Sequence, residues 1–401
     1  MNLRYPYYTL ALLTFLNLLN YIDRQVIYAV FPLIQDDLLL SDTALGVLAS
    51  AFMIVYTIAA PFSGPVGDKW SKTAVATFSV AMWSFATAAS GIARTYKELL
   101  IARSAVGIGE AGYGAVSPAI LSECFPREMR GRVLSVFYMA IPIGSALGFI
   151  LGGMLGETFG WRISFMMVGV PGIILAYVLW WFLKSNHIHL RVERDKPRHY
   201  AQLFKIPTYL LNMLALTVMT FVVGGFAAWM PTYFVRIREM SITEANVIVG
   251  VMTVIAGVFG TALGGWVGDW AQKFTKSAYP LLAGSGFILS IPFAMFGLIT
   301  EDLNTCIILI LIAEILIFQS TGPLNVVIAN VTPKEIRTTA FAMNIFFIHA
   351  FGDAISPTII GYLSDYNGLQ QSLLIMPSFL AISGLLCFIE AAFIKKDLKS
   401  E

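Results

Sequence analysis

Asp23 and Arg24 stand side by side in the string LLNYIDRQVIYAVF, with apolar or aromatic residues on both sides. A charged side chain near the middle of a membrane helix costs about 3 kcal/mol on insertion scales. Such residues face a bundle interior or a wet cavity, where they mark routes for protons, ions or substrate. A second charged set lies in ARSAVGIGEAGYGAVSPAILSECF, where Arg103 and Glu110 are seven residues apart, two helical turns, and share a face. A carboxyl that moves between an apolar environment and an arginine during a rocking motion can couple a proton to that motion. The alternative is a fixed ion pair between Glu110 and an arginine. His349 and Asp353, in IFFIHAFGDAISPTIIGYLSD, have the i, i+4 spacing that lets side chains meet on a helix. They could bind a headgroup or join a proton relay, since histidine titrates near neutral pH, or the histidine could simply be satisfied by its neighbour. Glu314, in LIAEILIFQ, is a lone acid within an apolar run, open to either a functional or a structural reading.

Other chemistries are weaker. Gly107, Gly109 and Gly112 spell GxGxxG, but a dinucleotide site needs a preceding strand and a βαβ unit. Here the glycines lie inside an apolar span, where small residues let helices approach closely. No GxxxxGK[ST], HExxH or GxSxG string is present, so neither an enzyme nor an ATP-driven pump is indicated. His187, His189 and His199 lack a carboxylate or cysteine cluster at ligand spacing, and no metal is assigned. Cys124, Cys306 and Cys387 are far apart and form no CxxC or disulfide framework. No cofactor is expected beyond an ion gradient, and nothing suggests nucleic acid as a partner.

These residues need helices in lipid to position them. The chain of 401 residues is 57% hydrophobic and 12% charged, with mean hydropathy +0.75 and net charge +2. Soluble domains carry about 25% charged residues, so the deficit points to a polytopic membrane protein. A span needs about 20 mostly apolar residues. Twelve such stretches fall near 8–32, 43–66, 73–93, 97–123, 131–156, 162–183, 207–234, 243–267, 278–299, 304–330, 337–363 and 371–394. The first is long enough to span and to remain as a helix rather than a cleaved signal. The polar stretch SNHIHLRVERDKPRHYAQL separates a bundle over 1–183 from one over 205–401, with 184–204 as the cytoplasmic linker. With both termini cytoplasmic, 19 of the 26 lysines and arginines fall in cytoplasmic segments and five in outer ones, which satisfies the positive-inside rule.

The chain repeats itself. GPVGDKWSK ends the second span and GGWVGDWAQK the eighth, so Asp68 answers to Asp269. FPREMRGR and TPKEIRTT align Pro126, Glu128 and Arg130 with Pro333, Glu335 and Arg337 at one constant offset. Two halves repeated in the same orientation are the pattern of the major facilitator fold, with substrate between the halves near the midplane. The expected class is therefore an all-α membrane protein of twelve transmembrane helices in two six-helix bundles. GDKWSK resembles the cytoplasmic loop motif between spans two and three of that superfamily, with Ser71-Lys72 where an arginine-lysine pair usually ends the loop. Asp68 could cap or pair there, while Lys69 and Lys72 anchor at headgroups and Arg130 joins the gating set. An ordinary positive-inside loop is the plainer reading.

The strings NYIDR, RSAVGIGEAGYGAVSPA, RVLSVFYMAIPIGSALGFILGG, GGFAAWMPTYF and HAFGDAISPTIIGYLSD resemble the spinster branch, over nearly the whole chain. The resemblance implies transport of lysophospholipids or sphingosine-type lipids with proton coupling. It implies that Asp23 and Glu110 are protonatable carboxylates, that Arg24 lies near an anionic headgroup, and that His349 is a polar residue of the same cavity. Arg103 and Tyr113 complete the expected substrate set, with Tyr21, Tyr28, Phe137, Tyr138 and Phe347 as candidate apolar lining. Arginine suits a phosphate through charge-assisted, often bidentate hydrogen bonds. Short termini and tight loops depart from the longer animal members and suggest a bacterial inner-membrane protein, and a monomer is expected. The competing transport readings are a proton-linked carrier of small organic anions such as sugar acids, and a multidrug exporter. Outside transport, the rival is a receptor or scaffold without transport activity.

Overall fold

The computed structural model describes residues 5–69, 71–185, 200–333 and 336–398. Among the described residues there is no strand. The chain runs through α1 (Tyr5–Ala29), α2 (Phe31–Leu38), α3 (Asp42–Lys69), α4 (Lys72–Ser90), α5 (Tyr96–Cys124), α6 (Arg127–Tyr138), α7 (Ala140–Phe159) and α8 (Trp161–Ser185). A short 3₁₀ turn, Tyr200–Lys205, precedes α9 (Pro207–Arg236), α10 (Ile242–Ile255), α11 (Thr261–Ala271), α12 (Ala278–Ile299) and α13 (Leu303–Phe318). The last four are α14 (Thr321–Val331), α15 (Arg337–Ile348), α16 (Ser356–Asn367) and α17 (Leu369–Asp397). π-Helical turns at Ala256–Gly260 and His349–Asp353 join α10 to α11 and α15 to α16.

Among the described residues, nine helical stretches are long and apolar enough to cross a membrane. They cover the second, fifth and sixth of the twelve stretches counted from sequence, and all six of the second half. The other three stretches fall on α1, α4 and α5, which are helical but not among the nine. Two of these, α1 and α5, carry the charged residues Asp23, Arg24, Arg103 and Glu110. The surface fits a lipid solvent: Phe62, Phe78, Phe85 and Trp266 are exposed while Asp23, Arg103, Glu110 and Glu390 are buried.

The described chain divides into two compact units, Met1–Arg194 with Phe234–Gly250, and Asp195–Tyr233 with Val251–Glu401. In the first, α5 packs against both α3 and α4, and α1 against α7. Close approach explains the glycines. A Cβ at Gly107 would lie 2.5 Å from the Phe52 carbonyl oxygen of α3, and one at Gly148 would lie 2.6 Å from the Ile22 carbonyl oxygen of α1. The GxGxxG string thus lies within a helix and sets a helix-to-helix distance. The helix start is equally local: Thr95 and Glu98 form a reciprocal capping box at the head of α5.

The segment Phe234–Gly250 is held in the first unit by polar contacts. Arg236 Nη1 donates to both carboxylate oxygens of Asp42 at 2.8 and 2.9 Å, and Arg236 Nη2 to Gln35. Glu157 accepts the Thr243 amide at 2.7 Å, and Asn246 donates to the Ala29 carbonyl at 3.1 Å.

The repeat is visible in the caps. Arg130 Nε donates at 3.3 Å to the carbonyl of Phe125, which ends α5, and Arg337 Nη2 at 3.5 Å to that of Thr332, which ends α14. Each arginine reaches back over a proline to a helix-terminal carbonyl that lacks a partner within its own helix. Two aligned strings therefore build one device twice.

Candidate functional site

The four charged residues singled out in α1 and α5 meet as two ion pairs. Arg24 Nε donates to Glu110 Oε2 at 2.6 Å, and Arg103 Nη1 to Asp23 Oδ1 at 3.0 Å. The pairing is crossed: Asp23 and Arg24, neighbours in sequence, bind different partners. Adjacent residues on a helix project about 100° apart, so α1 presents one charge to each of two places on α5. Their spacing there is the two turns between Arg103 and Glu110.

The environments differ. Asp23 is fully buried and its second oxygen accepts from Thr87 of α4. Arg103 is also buried, near the rings of Phe52 and Phe165 at 5.5 and 5.6 Å, and its Nε and Nη2 have no hydrogen-bond partner among the described residues. The Arg24 side chain keeps 12% exposure. Its guanidinium lies over the rings of Tyr21 and Tyr56, each at 4.8 Å, and near Phe52 at 5.4 Å, an arrangement that favours a cation. Glu110 Oε1 is buried without a partner among the described residues. One pair is sealed, and the other has an accessible cation and a carboxylate with an unused oxygen.

Structure also qualifies the aromatic candidates. Tyr113 is buried; its hydroxyl donates to the Leu13 carbonyl at 2.5 Å and its ring packs edge-on against Trp83 at 5.1 Å. It ties α5 to α1 and α4 and does not line an open site in this structure. Phe137 is buried as well, and the carbonyl at Phe137 accepts from Asn17. Tyr138 is exposed, while Tyr21, Tyr28 and Phe347 are half-buried. Tyr56 and Phe52, which flank Arg24, carry no signal in the sequence that separates them from other aromatics of α3.

In the loop set, Lys72 pairs with Glu123, tying the start of α4 to the end of α5. The side chains of Asp68 and Lys69 lie outside the described residues, as do His187, His189 and His199. Asp269, the repeat partner of Asp68, accepts from the Tyr279 hydroxyl at 2.7 Å.

In the second unit, His349 Nδ1 lies 3.0 Å from both carboxylate oxygens of Asp353, within the π-helical turn. π-Turns occur often at functional sites. Glu314 is half-buried, with Oε2 unpartnered among the described residues. Sequence reasoning passed over Glu390, a fully buried acid of α17 that accepts from Asn212 at 3.0 Å. Its proximity to the basic end of the last span, IEAAFIKKD, makes it read there as an ordinary helix terminus. Among the described residues, no group of histidine, cysteine and acidic side chains could hold a metal.

The profile of the Major Facilitator Superfamily matches residues 13–357. The chain is 30% identical to protein spinster homolog 1 of Xenopus tropicalis, over 97% of this chain and 81% of that protein. It is 29% identical to protein spinster homolog 1 of Bos taurus, over 96% of this chain and 81% of that one. It is also 29% identical to the sphingosine-1-phosphate transporter SPNS2 of Xenopus tropicalis, over 95% and 80%. The fold is that of a bacterial homologue of the human lysosomal transporter spinster, crystallised in an inward-facing, unoccupied conformation. The TM-score is 0.90 with 22% identity, and each chain is covered completely. The chain therefore belongs to the major facilitator superfamily and, within it, to the spinster proteins, which are multi-pass membrane transporters and not enzymes.

Proposed function

We propose that this protein is a proton-coupled secondary transporter working by alternating access, and that it moves a lysophospholipid or a similar amphipathic anionic lipid. The observation that carries the reading is the unequal pair of ion pairs. Asp23 and Arg103 are sealed from solvent, whereas Arg24 is the accessible cation and its partner Glu110 is a carboxylate with one oxygen free. A proton on Glu110 weakens its hold on Arg24, and the guanidinium then turns to an anionic headgroup. Phosphate takes the place of carboxylate on the same fork of donors, and the rings of Tyr21, Phe52 and Tyr56 stay beside the cation and contact the lipid stem. Asp23 is the second protonatable group, held by Arg103 and Thr87. His349, positioned by Asp353, is the substrate-binding candidate of the second unit, and Glu314 is a secondary acidic candidate. Asp68, Lys69, Lys72 and Arg130 form the cytoplasmic gating set. Tyr113 serves the site by fixing α5 against α1.

The lipid class is favoured by the similarity to a sphingosine-1-phosphate transporter. On this reading the chain has twelve spans with both termini cytoplasmic, in two bundles joined by the 184–204 linker. It acts as a monomer in a bacterial inner membrane.

The test uses purified protein in proteoliposomes with a panel of lysolipids. Wild type should bind and move a phosphate-bearing lysolipid, with binding tightening as pH falls. Arg24→Ala should weaken phosphate-bearing lysolipid at least tenfold more than a neutral analogue. Equal loss for both would remove the headgroup role of Arg24. Transport of sugar acids with no lysolipid binding would replace the lipid reading.

A further inference from the structure

The second unit holds a buried acid that the transport reading does not use. Glu390 lies on α17 with no solvent exposure, and Asn212 Nδ2 of α9 donates to its Oε1 at 3.0 Å. The other hydrogen of that amide goes to the Leu324 carbonyl of α14 at 3.2 Å. Two oxygens remain, Glu390 Oε2 and Asn212 Oδ1, both buried and both without a donor among the described residues.

Among the described residues, the groups around Glu390 offer no counter-charge. On its own helix, Cys387 is buried one turn before it, and Lys395 and Lys396 beyond it are exposed. Asp397 is occupied by the backbone amide and hydroxyl of Thr208, at 3.0 and 2.6 Å, at the start of α9. Before α12, Ser277 donates to the Ala391 carbonyl at 2.8 Å, and within it Tyr279 is engaged with Asp269. On α14, the residue that meets the pair is Leu324, through its carbonyl. An ionised carboxylate here would be a buried charge with one neutral donor for two oxygens, a state that a protein avoids by neutralising the group. A single proton on Oε2 removes the charge and supplies the missing donor. The acceptor that it needs is Asn212 Oδ1, the oxygen that otherwise has no donor.

We propose that Glu390 is a resident proton-binding site, a neutral carboxylic acid paired with the Asn212 amide and tying α9, α14 and α17 together. Amide and acid then exchange two hydrogen bonds, Nδ2–H to Oε1 and Oε2–H to Oδ1. The proton stays through the transport cycle, because among the described residues no arginine or lysine pairs with Glu390 to take over the charge when it leaves.

Infrared difference spectroscopy of the purified full-length protein, wild type against Glu390→Gln at neutral pH, tests this directly. Glutamine offers an N–H to Asn212 Oδ1 in place of the acid O–H, so the variant should fold and transport as wild type does. The expected spectrum shows loss of one protonated-carboxyl carbonyl band and no loss of a carboxylate band. Loss of a carboxylate band instead overturns the proposal. So does a folded Glu390→Gln protein that no longer transports, since the proton would then be part of the cycle. A second variant does not depend on the first: in Asn212→Leu the acid keeps its proton but loses its acceptor. Its carbonyl band should shift to the frequency of an acid without a hydrogen bond, and an unshifted band overturns the pairing. The infrared bands depend on neither the lipid nor Arg24, so they fail separately from the transport reading.

Discussion

The two units treat buried acids in opposite ways. In the first, Asp23 and Glu110 each face an arginine, and both pairs bridge α1 and α5. In the second, Glu390 of α17 and the half-buried Glu314 of α13 face no cation among the described residues: Glu390 is met by an amide and Glu314 leaves an oxygen without a partner there. The sequence repeat sharpens the contrast. The same separation that aligns Asp68 with Asp269 puts Gly224 and Gly225 at the places of Asp23 and Arg24. The second copy thus has two glycines where the first has its charges, and α9 packs closely there against Asp353. A duplicated scaffold has kept its caps, with Arg130 and Arg337 doing the same work, while its ionic chemistry is concentrated in one copy. Arginine–acid pairs can trade partners as helices shift, whereas an acid–amide pair is neutral and has little to trade. The first arrangement suits coupling and the second suits a fixed joint.

The largest test of this contrast is functional. Asp23→Asn and Glu110→Gln should each give folded protein whose pH-driven transport in vesicles is lost. Full transport by both would end the comparison. A step smaller, Arg103→Leu should destabilise the protein by about 3–5 kcal/mol, because it leaves Asp23 as an uncompensated buried charge. The double variant Asp23→Asn with Arg103→Leu should recover much of that loss in thermal unfolding, and if it does not, the ion pair is not the origin of the effect.

The attachment of Phe234–Gly250 to the first unit offers a third test. Arg236→Ala removes charge-assisted bonds to Asp42 and should cost about 2 kcal/mol locally. Amide exchange should then rise in Phe234–Gly250, roughly thirtyfold where local opening governs it, and stay unchanged in α4 and α5.

The smallest effect concerns a cap in the second unit. Asp302 receives the Thr305 amide at 2.7 Å at the head of α13, and hydrogen bonding from Thr305 holds its carboxyl below the usual range. Its contribution is present above the ordinary carboxylate range and is lost as pH falls through its lowered value. Asp302→Ala should lower the melting temperature slightly at neutral pH, and the difference from wild type should vanish in acid.

Much of this was legible in the linear chain because it depends on local rules. Apolar runs long enough to span, the i, i+4 contact of His349 with Asp353, and the shared face of Arg103 and Glu110 follow from helix periodicity alone. The matched strings around Arg130 and Arg337 foretold equivalent local structure, and both arginines cap a carbonyl in the same way. Other features were not legible. Nothing in the spacing says that Asp23 takes Arg103 while Arg24 takes Glu110, since either arginine is compatible with either acid until α1 and α5 cross at one angle. Tyr113 looked like lining and is packed, because its ring happens to face Trp83 and its hydroxyl a carbonyl of α1. Asn212 and Glu390 are far apart in sequence and share no motif, and the same is true of Asp42 and Arg236.

By itself, then, the sequence determined what kind of solvent surrounds this protein, which residues are too costly to leave in lipid, and that the chain is a duplicated helical scaffold. Hydrophobicity and helical period are properties of short stretches, so they are carried by the string. The tertiary structure decided which charge neutralises which, which cation keeps access to solvent, and which acid is left with only an amide. Those outcomes depend on side chains from distant helices arriving at one point within hydrogen-bond reach, and only the packing of the helices sets that.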